Sequence, residues 1–304
     1  MLSCSYMVDA VRDAMGDGAA WGVRLSYAVE EEPLGTAGGV RHAVDGADGR
    51  VLVLNGDILT DADLGAMLAF HEARGSAATL YLTRVPDPTA FGLVEVAEGG
   101  HIRRFIEKPD PSQVTTDTVN AGIYVIDKRL LARVPRGRAV SIEREFFPGL
   151  LEDRLPFYGW VAEHYWLDIG SPAKYRQGAL DLLAGRVDTP LSPAGAQGGG
   201  RFVGPGAVLE PGARVVSPAV IGAGCRVAAG ATVGPSTVLG TGCVVGADAV
   251  VADAILWERV EVGAGAELRE CIVGAGARVG AGARVGPGSV VEPGAVIPGG
   301  SRLP

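Results

Sequence analysis

Val227-Ala228-Ala229-Gly230-Ala231-Thr232-Val233-Gly234-Pro235-Ser236-Thr237-Val238-Leu239-Gly240 places an aliphatic residue at every sixth position, Val227, Val233 and Leu239, with glycine after the last two. Outward from this stretch the same beat runs from Val203 through Leu209, Val215, Ile221, Val245 and Val251 to Trp257. It resumes at Val262, Leu268, Val273, Val279, Val285, Val291 and Ile297 after two one-residue slips. A short fixed period signals a solenoid, in which each repeat packs only on its neighbours. Four residues after each aliphatic position stands a small one, among them Ala207, Ala219, Cys225, Ala231, Thr237 and Cys243. A large inward residue, a glycine at the corner and a small half-buried residue predict a triangular coil of short strands over residues 201–304. Cys225 and Cys243 occupy the small slot and read as core residues rather than as a redox pair or metal site.

This beat resembles the hexapeptide repeat of left-handed parallel β-helices, many of which are acyltransferases. Those enzymes resemble one another in carrying a histidine on the coils as general base. The four histidines here, His42, His71, His101 and His164, all precede the repeat. Their placement argues against acyl transfer and for an architectural solenoid, with Arg214, Arg226, Arg278 and Arg284 on a solvated face. Flat solenoid sides favour self-packing, so a homo-oligomer is expected through this part of the chain.

Composition narrows the classes further. A chain of 304 residues, 47% of them hydrophobic, can bury two cores, and a formal net charge of −8 argues against a nucleic-acid or anionic-membrane partner. No apolar stretch approaches the roughly 20 residues of a membrane span. Asp9, Arg12 and Asp13 interrupt the first residues where a signal peptide is apolar. The expectation is a cytoplasmic protein.

Residues 185–200, with Pro190, Pro193 and the Gly198-Gly199-Gly200 run, read as a linker. The segment before it, 1–184, alternates helix and strand signals. Helices are expected over Met7 to Met15, Thr36 to Val44, Asp63 to Arg74, and from Ser171-Pro172, an N-cap and first-turn pair, to Leu183. Strands are expected at Val23 to Val29, Ala77 to Leu82, Leu93 to Val96, Ile102 to Phe105 and Val119 to Ile126. Val51 to Leu54 is a continuous apolar run, as in a strand buried on both faces of a parallel sheet. The fold class is therefore α/β followed by an all-β solenoid.

Several segments place chemistry-bearing residues at element ends. Asn55-Gly56-Asp57 follows the apolar strand, where an open α/β sheet puts its ligand crevice; Asp57 there is either a metal ligand or part of a turn. Glu30-Glu31-Glu32-Pro33-Leu34-Gly35-Thr36-Ala37-Gly38-Gly39 is a glycine-rich strand-to-helix connection able to admit a base or phosphate, though it is no P-loop. Glu107-Lys108-Pro109 ends a strand, with a carboxylate for hydroxyls and an ammonium for phosphate. Asn120-Ala121-Gly122 has the small-residue profile of a strand that a ligand approaches. Asp168, in Trp166-Leu167-Asp168-Ile169-Gly170-Ser171-Pro172, precedes a helix N-terminus.

In order, EEEPLGTAGG, LNGD, FGLVEV, FIEKP, NAGIYV and WLDIGSP resemble the sugar-phosphate nucleotidylyltransferases, most closely the mannose-1-phosphate guanylyltransferase group with its β-helix tail. The resemblance implies a Rossmann-like nucleotidyltransferase domain ahead of a left-handed parallel β-helix. It also implies transfer of a nucleotidyl group from a nucleoside triphosphate to a sugar 1-phosphate. By motif position, Asp57 and Asp168 would hold Mg²⁺ and Lys108 the sugar phosphate; Asp57, Lys108 and Asp168 would be the catalytic set. Gly92, Glu107, Asn120 and Gly122 would surround the sugar, and Glu30, Pro33, Gly35 and Thr36 the base. GTP and mannose 1-phosphate suit this branch; glucose 1-phosphate with a thymidylyl or adenylyl donor stays open. The family opens with a strand and a Gly-Gly-x-Gly-Thr-Arg-Leu loop that nothing here matches. Three readings of this difference are a reading frame that starts upstream, a degenerate, inactive relative, and a non-catalytic subunit that binds nucleotide-sugar and regulates an active enzyme. Without those residues the sheet is expected to lack central strands and leave an edge open.

Overall fold

The computed structural model describes residues 1–44, 49–190 and 200–304. They group into two compact units, Met1–Ile58 with Ala62–Trp166, and Leu59–Asp61 with Leu167–Pro304. Of the expected linker, 191–199 lies outside the described residues.

The first unit begins with β1 (Leu2–Cys4), α1 (Val8–Met15), β2 (Tyr27–Val29) and α2 (Gly35–Ala43). β1 and β2 pair in parallel as a small sheet of their own. β3 (Arg50–Leu54) and β4 (Ile58–Thr60) precede α3 (Leu64–Ala73), whose N-cap Asp63 accepts a hydrogen bond from the Ala66 N–H at 2.9 Å. β5 (Ala78–Arg84), β6 (Gly92–Val96), β7 (Ile102–Glu107) and β8 (Thr118–Asp127) follow. After them come α4 (Lys128–Leu131), a π-helical turn (Ile142–Phe146), α5 (Phe147–Glu152), β9 (Phe157–Val161) and β10 (Trp166–Asp168).

The main sheet runs β7-β6-β8-β5-β9, with β3 also on β8. Only β5 and β9 pair in parallel; β3, β5 and β6 all run antiparallel to β8. The parallel sheet expected from the apolar runs is thus a mixed one. Periodicity reports which faces are covered and is blind to strand direction. β5 and β8 send alternate side chains into two cores, Leu80, Leu82, Tyr124 and Ile126 with Phe147 and Phe157 on one side, and Tyr81, Ile123 and Val125 with Met67 on the other. Burial on both faces explains their continuous apolar sequences.

β3 departs from its expected place. Val51 and Val53 pack on the first core, but Leu52 and Leu54 are 38% and 49% exposed. Its apolar run suits a doubly covered strand, and among the described residues only one face is covered.

The second unit is a parallel solenoid of three six-stranded sheets, in which each strand pairs with one on the next coil. Ile221, Leu239, Leu256 and Val273 fill one inward column and are buried. Two kinds of glycine permit the stack. A Cβ on Gly222, at a corner, would stand 2.7 Å from the Gly240 carbonyl carbon of the next coil; Gly224, in the turn, has φ +66°. Cys225 and Cys243 are fully buried free thiols, as their slot implied.

The structure relocates the first slip. Leu256 occupies the inward position and Trp257, assigned to the register from sequence, is 40% exposed. Pairing steps of 17 residues, Leu239 to Leu256 and Leu256 to Val273, give way to 18 from Val273 to Val291. The shortened corners pass through Asp253 and Glu270, both at positive φ, and stack on adjacent coils. There the helix α6 (Pro172–Leu183) reaches them: Arg176 donates to the Asp253 carbonyl at 3.3 Å and stands 3.7 Å from the Glu270 carboxylate. Ile255 and Ile272, which point out of the coil beside that corner, are buried.

Candidate active site

β6, β7 and β8 bring three expected residues together. Gly92 pairs with Glu107 across the ladder, and Leu93 with Val119. A Cβ on Gly92 would lie 2.8 Å from the Phe105 ring, 3.0 Å from a Glu107 carboxylate oxygen and 3.4 Å from the Asn120 Cβ. Glycine here lets Glu107 and Asn120 flank one spot that any side chain would fill.

Lys108 follows with φ +50°, in the left-handed region that costs a non-glycine residue energy, while its N–H holds the Phe91 carbonyl at 2.9 Å. This bend lets neighbouring residues leave the strict two-sided alternation of β7. Lys108 is exposed and Glu107 half-buried. Burial pushes the Glu107 carboxyl above its ordinary range, helped by the Glu143 carboxylate and opposed by Lys108 and Arg144.

At Asn120-Ala121-Gly122 the β5/β8 register shifts, a bulge that Gly122 accommodates at φ +75°. Three contacts fix it: Gly122 N–H donates to Asn120 Oδ1 at 3.1 Å, Asn55 N–H to the Gly122 carbonyl at 2.9 Å, and the Trp166 indole N–H to the Ala121 carbonyl at 2.9 Å. Asn120 Nδ2 donates to the Tyr124 hydroxyl at 3.0 Å. Asn55, Tyr124 and Trp166 stand inside the motifs LNGD, NAGIYV and WLDIGSP, but no pattern in the sequence distinguishes them as site residues. Glu143 and Arg144 sit on the π-helical turn, and no periodicity marked them.

The glycine-rich connection is tied down at Glu30, whose carboxylate accepts from the Ser3 hydroxyl at 2.8 Å and the Leu34 N–H at 2.9 Å. That second bond satisfies a donor beside the α2 N-terminus, which has no side-chain cap. Gly35 has φ +65° and a Cβ there would strike the Val140 carbonyl at 2.7 Å. Pro33, Gly35 and Thr36 are exposed and Glu30 is half-buried. Glu30 therefore shapes the loop, while the other three face outward.

Asp57 is exposed beyond the end of β3 and forms no ion pair among the described residues. Asp168 belongs to the second unit, where it accepts from the Gly170 N–H at 2.9 Å and lies 3.8 Å from Lys174 Nζ. Each carboxylate offers the hard oxygen donors that Mg²⁺ prefers. No group of three or more His, Cys, Asp or Glu suited to a metal occurs among the described residues.

Residues 2–185 match the family model described as nucleotidyl transferase. The chain belongs to that family. Residues 199–303 match the model for the EIF2B subunit epsilon LbH domain. Mannose-1-phosphate guanylyltransferase of Mycobacterium tuberculosis (strain ATCC 25618 / H37Rv) is 38% identical over 233 residues, 71% of this chain and 64% of that protein. Probable mannose-1-phosphate guanylyltransferase 2 of Arabidopsis thaliana is 36% identical over 182 residues, 57% of this chain and 49% of that protein. This nucleotidyl transferase chain thus spans roughly half to two thirds of the length of these curated relatives. The crystal structure of HddC from Yersinia pseudotuberculosis complexed with GMP-PN superposes with a TM-score of 0.50 at 25% identity, covering 58% of this chain and 75% of that one. No described helix is long and apolar enough to cross a membrane.

Proposed function

We propose that the chain transfers a nucleotidyl group from GTP to mannose 1-phosphate, giving GDP-mannose and pyrophosphate. The observation that carries this reading is the convergence of Gly92, Glu107 and Asn120 beside the outward-bent Lys108. A carboxylate and an amide beside a vacant Cβ position suit the hydroxyls of a sugar, and the adjacent ammonium suits its phosphate. In the reaction a sugar-phosphate oxygen bonds to the α-phosphorus of the triphosphate while the bond to the β-phosphate oxygen breaks. Positioning and charge neutralisation supply most of the catalysis. Lys108 holds the sugar phosphate in line, and Glu107 and Asn120 orient the ring. The exposed Pro33, Gly35 and Thr36 border the base, with Glu30 holding their loop. In the first unit Asp57 is proposed as a carboxylate for Mg²⁺, which when bound would neutralise phosphate charge.

The relatives' names support guanosine and mannose over thymidylyl or adenylyl transfer to glucose 1-phosphate. The test is pyrophosphate release across four triphosphates and several sugar 1-phosphates. Release with GTP and mannose 1-phosphate alone supports the reading. Release with glucose 1-phosphate and another triphosphate replaces it, and nucleotide-sugar binding without release supports a regulatory subunit. We further propose self-association through the solenoid, checked by the mass of the chain in solution before and after removal of residues 201–304. A cytoplasmic location is proposed, supported by four free cysteines and checked by fractionation.

A further inference from the structure

Tyr124 is fully buried and the proposed chemistry makes no use of it. Its hydroxyl is 3.0 Å from Asn120 Nδ2, and the other end of that amide, Oδ1, is 3.1 Å from the Gly122 backbone nitrogen. Donor and acceptor accounting fixes the amide's orientation. A backbone N–H can only donate, so the Asn120 oxygen faces Gly122 and the NH₂ faces Tyr124, whose oxygen accepts. Burial pushes the phenol's pKa upward, so the hydroxyl stays neutral. One N–H of Asn120 is spent on Tyr124, and the second is the only uncommitted donor on that side chain.

We propose that Tyr124 is a positioning residue that locks the Asn120 amide with one N–H directed at the sugar. Asn120 then acts only as a donor, paired across Gly92 with Glu107 as an acceptor. Such a pair is matched by a hydroxyl that accepts from Asn120 and donates to Glu107. Without the Tyr124 oxygen the amide loses a partner and the donor is no longer held. The inference rests on the proposed sugar-phosphate site.

The experiment is a double-mutant cycle on the full chain, with mannose 1-phosphate and GTP as probes in the presence of Mg²⁺. Tyr124→Phe removes one atom and keeps the ring in the core. The expected result is a Kd for mannose 1-phosphate weakened about tenfold, with the Kd for GTP changed less than about twofold. In an Asn120→Ala background, Tyr124→Phe has no further effect on mannose 1-phosphate. Equal weakening for both ligands marks a general structural defect and overturns the inference. Unchanged mannose 1-phosphate binding, or additive effects of the two substitutions, overturns it as well. A wild-type chain that binds GTP but no sugar 1-phosphate instead overturns the functional reading, and the positioning role with it.

Discussion

Leu256 in the solenoid and Gly122 in the front unit illustrate two ways of making a structure. Leu256 stacks on Leu239 and Val273, each 17 residues away, and its neighbours repeat the arrangement. Gly122 is held by Asn55, 67 residues earlier, and its strand by Trp166, 44 residues later. In the solenoid a residue's place follows from its phase. In the front unit it follows from which distant segments meet, so a site can be built where regularity fails. The bulge at Gly122, the left-handed Lys108 and the π-helical turn carrying Glu143 are such failures.

Substitutions can break or sharpen this contrast. The largest effect is expected at Asp57, where Asp57→Asn removes a carboxylate but little volume. Turnover should fall by about a hundredfold or more, with the Kd for mannose 1-phosphate near wild type. Equal losses in both, read by steady-state kinetics and calorimetry, would count against a metal role. Next, Leu256→Ala should destabilise the solenoid by about 3 kcal/mol in urea unfolding, and Trp257→Ala by less than about 1. The reverse order would restore Trp257 to the inward register.

At Gly122, alanine meets the left-handed backbone and the Asn55 amide 2.9 Å from its Cβ. A loss of about 1–3 kcal/mol is expected, with weakened mannose 1-phosphate binding. The same change at the open, right-handed Gly149 should leave that binding unchanged. The smallest effect belongs to Glu107, whose raised pKa means the fold favours its protonated form. Below the ordinary glutamate pKa this preference contributes fully to stability. It is lost as the pH rises through the folded value, where ionisation costs the folded state. Glu107→Gln should therefore raise Tm relative to wild type at neutral pH, and the gain should vanish near pH 4. A gain that persists in acid would refute burial as the cause.

Legibility follows the same division. The six-residue beat locates the coils, the small slots and the burial of Cys225 and Cys243, because local phase determines burial there. It misplaced Trp257 by one position, since a deletion inside a corner shifts the frame without changing composition. Ahead of the coils, the Ser171-Pro172 start of α6 and the extent of α3 near Asp63 to Arg74 are readable, being local chemistry. The direction of β8 was not, because an apolar run looks the same whichever way its neighbours run. Motif order placed Gly92, Glu107, Lys108 and Asn120 near one another. It gave no hint that Asn120 leans on Tyr124 or that Glu30 is occupied with its own loop.

The two stacked, shortened corners bear on how this solenoid can change length. Arg176 reads a notch formed by Asp253 and Glu270 together. Coils added or lost after Val291 would leave that notch intact. A single residue inserted at either corner restores the 18-residue step and erases half of the notch. Indels in such a tail should therefore come in whole coils, and be rarest where α6 rests.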